Sequence, residues 1–433
     1  MQRHVAIIGS GPGGFYCAEA LVKGNPDLRV DIVDRLPTPY GLVRSGVAPD
    51  HAGTKNVWRV FERTARRPEV RYLGNVEVGR DVTVAELEAH YDAVVLAIGV
   101  TEDRPLGIAG SDLPGVYGSR ALSGWYNGHP DFEDLNPELR GPGIAVIGNG
   151  NVAVDIVRVL SRTREEMAKT DITPYAMEAI EASDYTDVYM LGRRGPVQAS
   201  FTTAELRELG DMTKTVAVVQ ADQLPESFSV PDPKQQMKME KIVDTLRAYS
   251  QNDPTSKGRR LHLRFFASPV RILGDDHVRG IEIMKTRLDG ERAVPTGETY
   301  TLEVGTVITA IGYRATQLEG VPMDPSGTCY ANVDGKIRSG LYAVGWAKRG
   351  PSGVIATNRK DSGDVAAKIL EEIAHAPPKQ GVDRFDALLM ERGAQVVDFD
   401  AWSRIDEREI TSAPEGAPRR KLTSMKALLD ALG

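Results

Sequence analysis

The sequence is short of cysteine and of long apolar runs, and each shortage narrows what the chain can do. Cys17 and Cys329 are the only cysteines among 433 residues, and no CxxC pair exists. A redox-active dithiol, a cysteine-held zinc and an iron–sulfur cluster therefore have no ligands. Two lone cysteines suit a reducing compartment. The seven histidines are scattered without metal-type pairing, so no metal site is expected. No run approaches the ~20 apolar residues that cross a bilayer. The opening "VAIIGSG" is too short for a signal-peptide core. With 53 basic against 60 acidic residues the formal charge is −7, which argues against wholesale nucleic-acid binding. Any anion site must be local. The expectation is a soluble, cytoplasmic protein of two or three domains.

Glycine, by contrast, is plentiful, and much of it is clustered. "HVAII" (4–8) reads as a buried strand, "GSGPGG" (9–14) as a turn, "FYCAEALVK" (15–23) as a helix and "RVDIVD" (29–34) as a second strand. This βαβ start predicts a parallel sheet. Gly9, Gly11 and Gly14 satisfy G-x-G-x-x-G, in which the first glycine makes the turn, the second admits a pyrophosphate and the third lets helix and strand close up. Ser10 and Pro12 lie between them, and Asp34 ends the next strand, where an acid binds a ribose hydroxyl. The design recurs about 140 residues later in "GIAVIGNGNVAVDIVRVL" (143–160). There Gly148, Asn149, Gly150, Asn151 and Val152 are followed by Ala153 in the third place. The strand after it ends in Arg193 and Arg194 instead of an acid. A carboxylate repels a ribose 2′-phosphate, whereas guanidinium groups fork onto it.

The fold class read from this is α/β with two Rossmann-like dinucleotide-binding domains. The simplest assignment is FAD at the first loop and NADP(H) at the second, with a hydride passing between them. "GPSGVIATN" (350–358) predicts a helix starting after Gly353, near the flavin. Trp346 reads either as a ring stacked on the flavin or as a core residue. The long, turn-rich stretch "LPTPYGLVRSGVAPDH" (36–51) has the length of a functional loop.

Five segments, "GSGPGGFYCAEAL", "LPTPYGLVRSGVAPDHAGTKNV", "GNGNVAVDIVRVL", "GRRGPVQASFTTAELREL" and "GWAKRGPSGVIATNRKDS", together resemble the adrenodoxin-reductase type of ferredoxin–NADP(+) reductase. The resemblance runs along nearly the whole chain. It implies an FAD domain interrupted by an inserted NADP domain, here with boundaries at 1–103, 104–316 and 317–433. It implies FAD contacts at the first glycine loop, Asp34, Leu42, Val76 and the 346–355 segment, including Trp346, Gly353, Val354 and Ile355. It implies NADP contacts at Asn149–Val152, Arg193, Arg194, Glu205 and Gly353. Asp34 replaces the family's more usual glutamate. His51 and Glu208 match positions discussed in proton handling; each also reads as an ordinary structural or surface residue. The partner implied is a ferredoxin, feeding among other pathways a cytochrome P450 system. Arg207, Lys234, Lys238, Lys241, Arg247 and "SKGRR" (256–260) are candidates for a basic landing face. The alternative is another NADPH-dependent flavoprotein reductase or diaphorase with a different acceptor. A disulfide reductase would want CxxC, and a glutamate-synthase-like subunit a cysteine-rich N-terminal domain.

Overall fold

The computed structural model describes residues 2–379 and 381–433. Two six-stranded sheets organise the chain. The first has the order Lys336–Arg338, Leu341–Ala343, Ala93–Leu96, His4–Ile8, Arg29–Val33 and Val70–Leu73, parallel except for its first strand. The second has the order Val116–Gly118, Thr306–Thr309, Gly143–Ile147, Asp187–Leu191, Arg259–Arg264 and Thr215–Val219, all parallel. Helices cover both faces, so central strands such as Ala93–Leu96 and Gly143–Ile147 are buried throughout and read as unbroken apolar runs. The first sheet draws on both ends of the chain and the second on its middle.

In each sheet the chain order reverses at the strand that precedes a glycine loop. His4–Ile8 lies between Arg29–Val33 and Ala93–Leu96, and Gly143–Ile147 lies between Asp187–Leu191 and Thr306–Thr309. Such switch points leave a crevice beyond the carboxyl ends of the strands, and ligands of doubly wound sheets bind there. The two crossings between the sheets run side by side: Glu102–Asp103 pairs antiparallel with Tyr313–Arg314. Asp103 then accepts the amides of Arg120 and Ala121 and the Ser119 hydroxyl at the start of helix Ser119–Asn127.

Three elements depart from the sequence reading. The helix expected after Gly353 begins only at Thr357 and runs to His375. Gly353 has φ +80°, and Thr357 Oγ1 accepts the Val354 amide, so the intervening residues turn instead of coiling. A three-stranded antiparallel sheet, Ala267–Leu273, Gly280–Asp289 and Arg292–Leu302, was not anticipated. Nor was helix Phe399–Thr411 in the tail.

That tail has a defined task. Glu409, fully buried, takes both Arg44 nitrogens at 2.8 and 2.6 Å and the Leu422 amide at 2.8 Å, which pins the 36–51 loop. Lys421 and Lys55 both reach Asp171, at 2.8 and 2.6 Å. The tail and the helix Ala52–Lys55 that follows the loop therefore meet the second unit at one buried carboxylate, Asp171. No helix among the described residues is long and apolar enough to cross a membrane.

Candidate functional site

The first glycine loop is built by close contact. Gly9 N–H donates to Val33 O at 2.7 Å, and an added Cβ at Gly14 would stand 2.1 Å from Gly9 O. Only glycine lets helix Pro12–Gly24 come so near the strand. A Cβ at Gly11, in contrast, would meet nothing within 4 Å. The crevice face of that residue is open. Asp34 closes the loop from the side: its Oδ2 accepts Ser10 N–H at 2.8 Å and Ser10 Oγ–H at 2.5 Å, and its Oδ1 accepts Leu36 N–H at 3.0 Å.

Other expected flavin contacts converge on this loop. Gly41, in the left-handed region at φ +50°, lies against Gly11, and the Tyr40 amide donates to Ser10 O at 3.0 Å. Leu42 opens the next short helix, Leu42–Ser45. The Val76 amide donates to Asp34 O at 2.9 Å, and its side chain is buried. From the far end of the chain, Gly345 packs beside Gly13, and Ser362 Oγ donates to Gly13 O. Trp346 is half-buried. It stacks on Tyr313 with centroids 6.0 Å apart, and its Nε1–H donates to Ser352 O. The core alternative for this tryptophan does not hold. Val354 is exposed and Ile355 half-buried beside it.

The second loop repeats the course. Gly148 N–H donates to Leu191 O at 3.0 Å, and a Cβ on Gly148, at φ +148°, would stand 2.2 Å from Ala310 O. Gly150 is open, its nearest neighbour atom 3.9 Å from a built Cβ, and it caps helix Asn151–Ser161. Val152 is half-buried in the helix's first turn, and Asn151 Oδ1 accepts the Thr202 amide. The arginine turn is held by its backbone. Arg193 O accepts Thr286 Oγ1–H at 2.7 Å, and Arg194 O accepts the Phe266 amide at 3.2 Å. The unanticipated antiparallel sheet therefore serves as the scaffold of that turn. Among the described residues neither guanidinium has a carboxylate within 4.0 Å. Nearby, Asn149 Oδ1 and Gln198 Oε1 are buried without a hydrogen-bond partner.

A diphosphate with a ribose fits both loops: each offers an open glycine face, a helix N-terminus and a tight turn. The charge at the strand end suits FAD at the first, where a carboxylate stands. It suits NADP at the second, where two guanidinium groups stand without a carboxylate partner among the described residues.

Between the loops lies a charged cluster. His51 Nε2 is 2.9 Å from Glu208 Oε2 and 3.4 Å from Glu205 Oε2, and its Nδ1 is 3.7 Å from Asp155 Oδ1. Behind them Arg158, 0% exposed, forks onto Asp50 at 2.8 and 3.0 Å and reaches Asp155, Glu205 and Glu208 at 2.8, 3.2 and 3.4 Å. Burial raises the carboxyls of Asp155 and Glu205, with Asp155 adding to the rise at Glu205, while Arg158 and His51 oppose it. Burial would also raise Asp50, but Arg158 and Arg162 outweigh it and hold that carboxyl down. The sequence reading singled out His51, Glu205 and Glu208 but missed Asp50, Asp155 and Arg158. The available signal was an arginine inside the apolar run "VAVDIVRVL".

The basic-face candidates divide. Arg260 is paired with Asp187, Arg247 with Asp244, and the Arg259 guanidinium lies 4.3 Å over the Tyr185 ring. Their charge is already engaged. Arg207, Lys234, Lys238 and Lys241 are exposed, without a carboxylate partner among the described residues.

Comparison with known proteins adds to this geometry. Residues 3–195 match the family described as pyridine nucleotide-disulphide oxidoreductase. The chain is 39% identical over 448 residues to the NADPH-ferredoxin reductase FprA of Mycobacterium tuberculosis, covering 98% of each chain. It is 40% identical to the mitochondrial NADPH:adrenodoxin oxidoreductase of Arabidopsis thaliana, covering 99% of this chain and 95% of the relative. A solved structure of M. tuberculosis FprA in complex with NADPH superposes over the full length of both chains, with a TM-score of 0.95 at 38% identity.

Proposed function

Because the chain belongs to the adrenodoxin-reductase type of NADPH–ferredoxin reductases, we propose that it moves electrons between NADPH and a ferredoxin through bound FAD. The observation that carries this reading is the pair of open glycine loops with opposite charge at their strand ends, Asp34 against Arg193 and Arg194. The Cys17 thiol is buried and Cys329 stands alone, so the disulfide chemistry in the broad family's description has no cysteine pair here.

We read residues 1–103 and 317–433 as the FAD domain and 104–316 as the NADP domain. Gly9–Gly14, Asp34, Leu42, Val76, Trp346 and Gly353–Ile355 would hold FAD. Asn149–Val152, Arg193, Arg194, Glu205 and Gly353 would hold NADP. When bound, FAD supplies the conversion of a two-electron hydride into single electrons. The chain's own part is orientation and charge. The helix N-termini at Pro12 and Asn151 would offer amides and a partial positive charge to the two diphosphates. Arg193 and Arg194 select the 2′-phosphate. His51 and Glu208, in hydrogen-bond contact, would handle a proton at the site. The exposed Arg207, Lys234, Lys238 and Lys241 offer positive charge to an acidic iron–sulfur protein. A cytoplasmic setting fits the two free cysteines. A cytochrome P450 system is one downstream consumer consistent with this.

The test is anaerobic. NADPH should bleach the flavin of the purified protein, which should then reduce an added ferredoxin. A protein that bleaches but passes electrons only to small dyes would refute the ferredoxin reading.

A further inference from the structure

Resting on the reading of His51 above, we propose that Arg158 is a positioning residue of the hydride step. It holds the carboxylate oxygens around the His51 imidazole and sets the charge that ring meets. The geometry is specific. Asp155 Oδ1, Glu205 Oε2 and Glu208 Oε2 are each contacted by both His51 and Arg158. The same three oxygen atoms thus face an imidazole on one side and a permanent cation on the other. Asp50, next to His51 in the chain, takes the remaining edge of the guanidinium through Nε and Nη2 and is also met by Arg162.

The contacts join two units. Asp50 and His51 belong to the loop that crosses the first glycine turn. Asp155 and Arg158 lie on helix Asn151–Ser161, and Glu205 and Glu208 on helix Thr203–Glu208. Arg158 therefore fixes the register between the flavin-side loop and the nicotinamide-side helices. It also carries charge. Among the described residues the charged groups around His51 are four carboxylates, Asp50, Asp155, Glu205 and Glu208, and one buried cation, Arg158, with Arg162 behind Asp50 and the buried Tyr126 beside them. Without Arg158 the charge around the ring would turn more negative. Without Asp50 the guanidinium would be left to the remaining three, and the charge around the ring would turn more positive. Arginine suits the place because a planar fork can serve several oxygens at once and stays charged when buried.

The test uses holoenzyme and follows flavin bleaching by NADPH in rapid mixing, as a function of pH. Arg158→Gln should move the proton-dependent limb of the rate upward by about one pH unit, and Asp50→Asn should move it downward by a similar amount. Arg158→Lys keeps the charge but not the fork, so the limb should stay in place while the rate falls. If Arg158→Gln yields no folded holoenzyme, Asp50→Asn and Arg158→Lys carry the test between them. A limb that superimposes on wild type in Arg158→Gln or Asp50→Asn, a limb that moves in Arg158→Lys, or movement in one direction for both charge changes would overturn the proposal. His51→Gln separates the two levels. Loss of the limb there upholds the reading of His51, and persistence of the limb means that reading has failed, independently of Arg158.

Discussion

The loop at 9–14 and the loop at 148–153 follow the same backbone course, yet differ in the third place and at the strand end. Each turns on a positive-φ glycine and caps a helix with an extended one. Gly14 sits where a Cβ would collide with Gly9 O, while the second loop takes Ala153, fully buried, at the matching position. Asp34 bonds back onto its own loop, whereas Arg193 and Arg194 are fixed by their backbone and leave their charge free. The first cradle is thus tight and self-closed, suited to a resident group. The second is looser and charged, suited to a nucleotide that comes and goes.

Exchanging the third residues breaks this comparison most severely. Gly14→Ala forces helix and strand apart and should cost about 3 kcal/mol or more, with loss of flavin on purification. Ala153→Gly should cost only about 1 kcal/mol, since it frees backbone in a helix without relieving a clash. Thermal unfolding with flavin fluorescence would read both; equal losses would erase the distinction. Next in size is Arg193→Ala with Arg194→Ala. Losing two charge-assisted forks should raise KM for NADPH about 100-fold and leave NADH nearly unchanged. Parallel changes for both nucleotides would show that the arginines do not read the 2′-phosphate. Asp34→Ala comes third, since it removes three local hydrogen bonds and the carboxylate proposed to meet a ribose. It should weaken FAD retention by about 1–3 kcal/mol in a dialysis or dissociation assay.

The smallest effect concerns acid stability of the second unit. Burial would raise the Asp187 carboxyl, but hydrogen bonds from Arg260, His262 and Thr186 hold it down to about 2. Its folded value lies below its unfolded one, so the stability it adds is present above about pH 4 and lost as pH falls towards 2. Asp187→Asn should therefore lower Tm at pH 7 and leave it nearly unchanged below about pH 2. A uniform drop across pH would contradict the assignment.

What was legible beforehand follows from where the information lies. Strands such as "HVAII" and "GIAVI" declare themselves because both faces are buried, and the glycine loops because a turn, an open face and a close approach each demand a particular residue. Arg292–Leu302 was invisible for the opposite reason: it is largely exposed, polar, and carries Pro295 and Gly297. Helix Phe399–Thr411 owes its place to Glu409 meeting Arg44, 365 residues away, which no local pattern announces. Arg158 is the same case within the site. His51 and Glu208 were singled out through resemblance, but the buried cation that joins them is seen only when three separated segments are brought together.

The central claim is that the two loops hold different nucleotides, sorted by the charge at their strand ends. Anaerobic titration of the purified yellow protein with NADPH and, separately, with NADH tests it most directly. NADPH should bleach the flavin at concentrations far below those NADH requires. Bleaching by both at the same concentration would contradict the account.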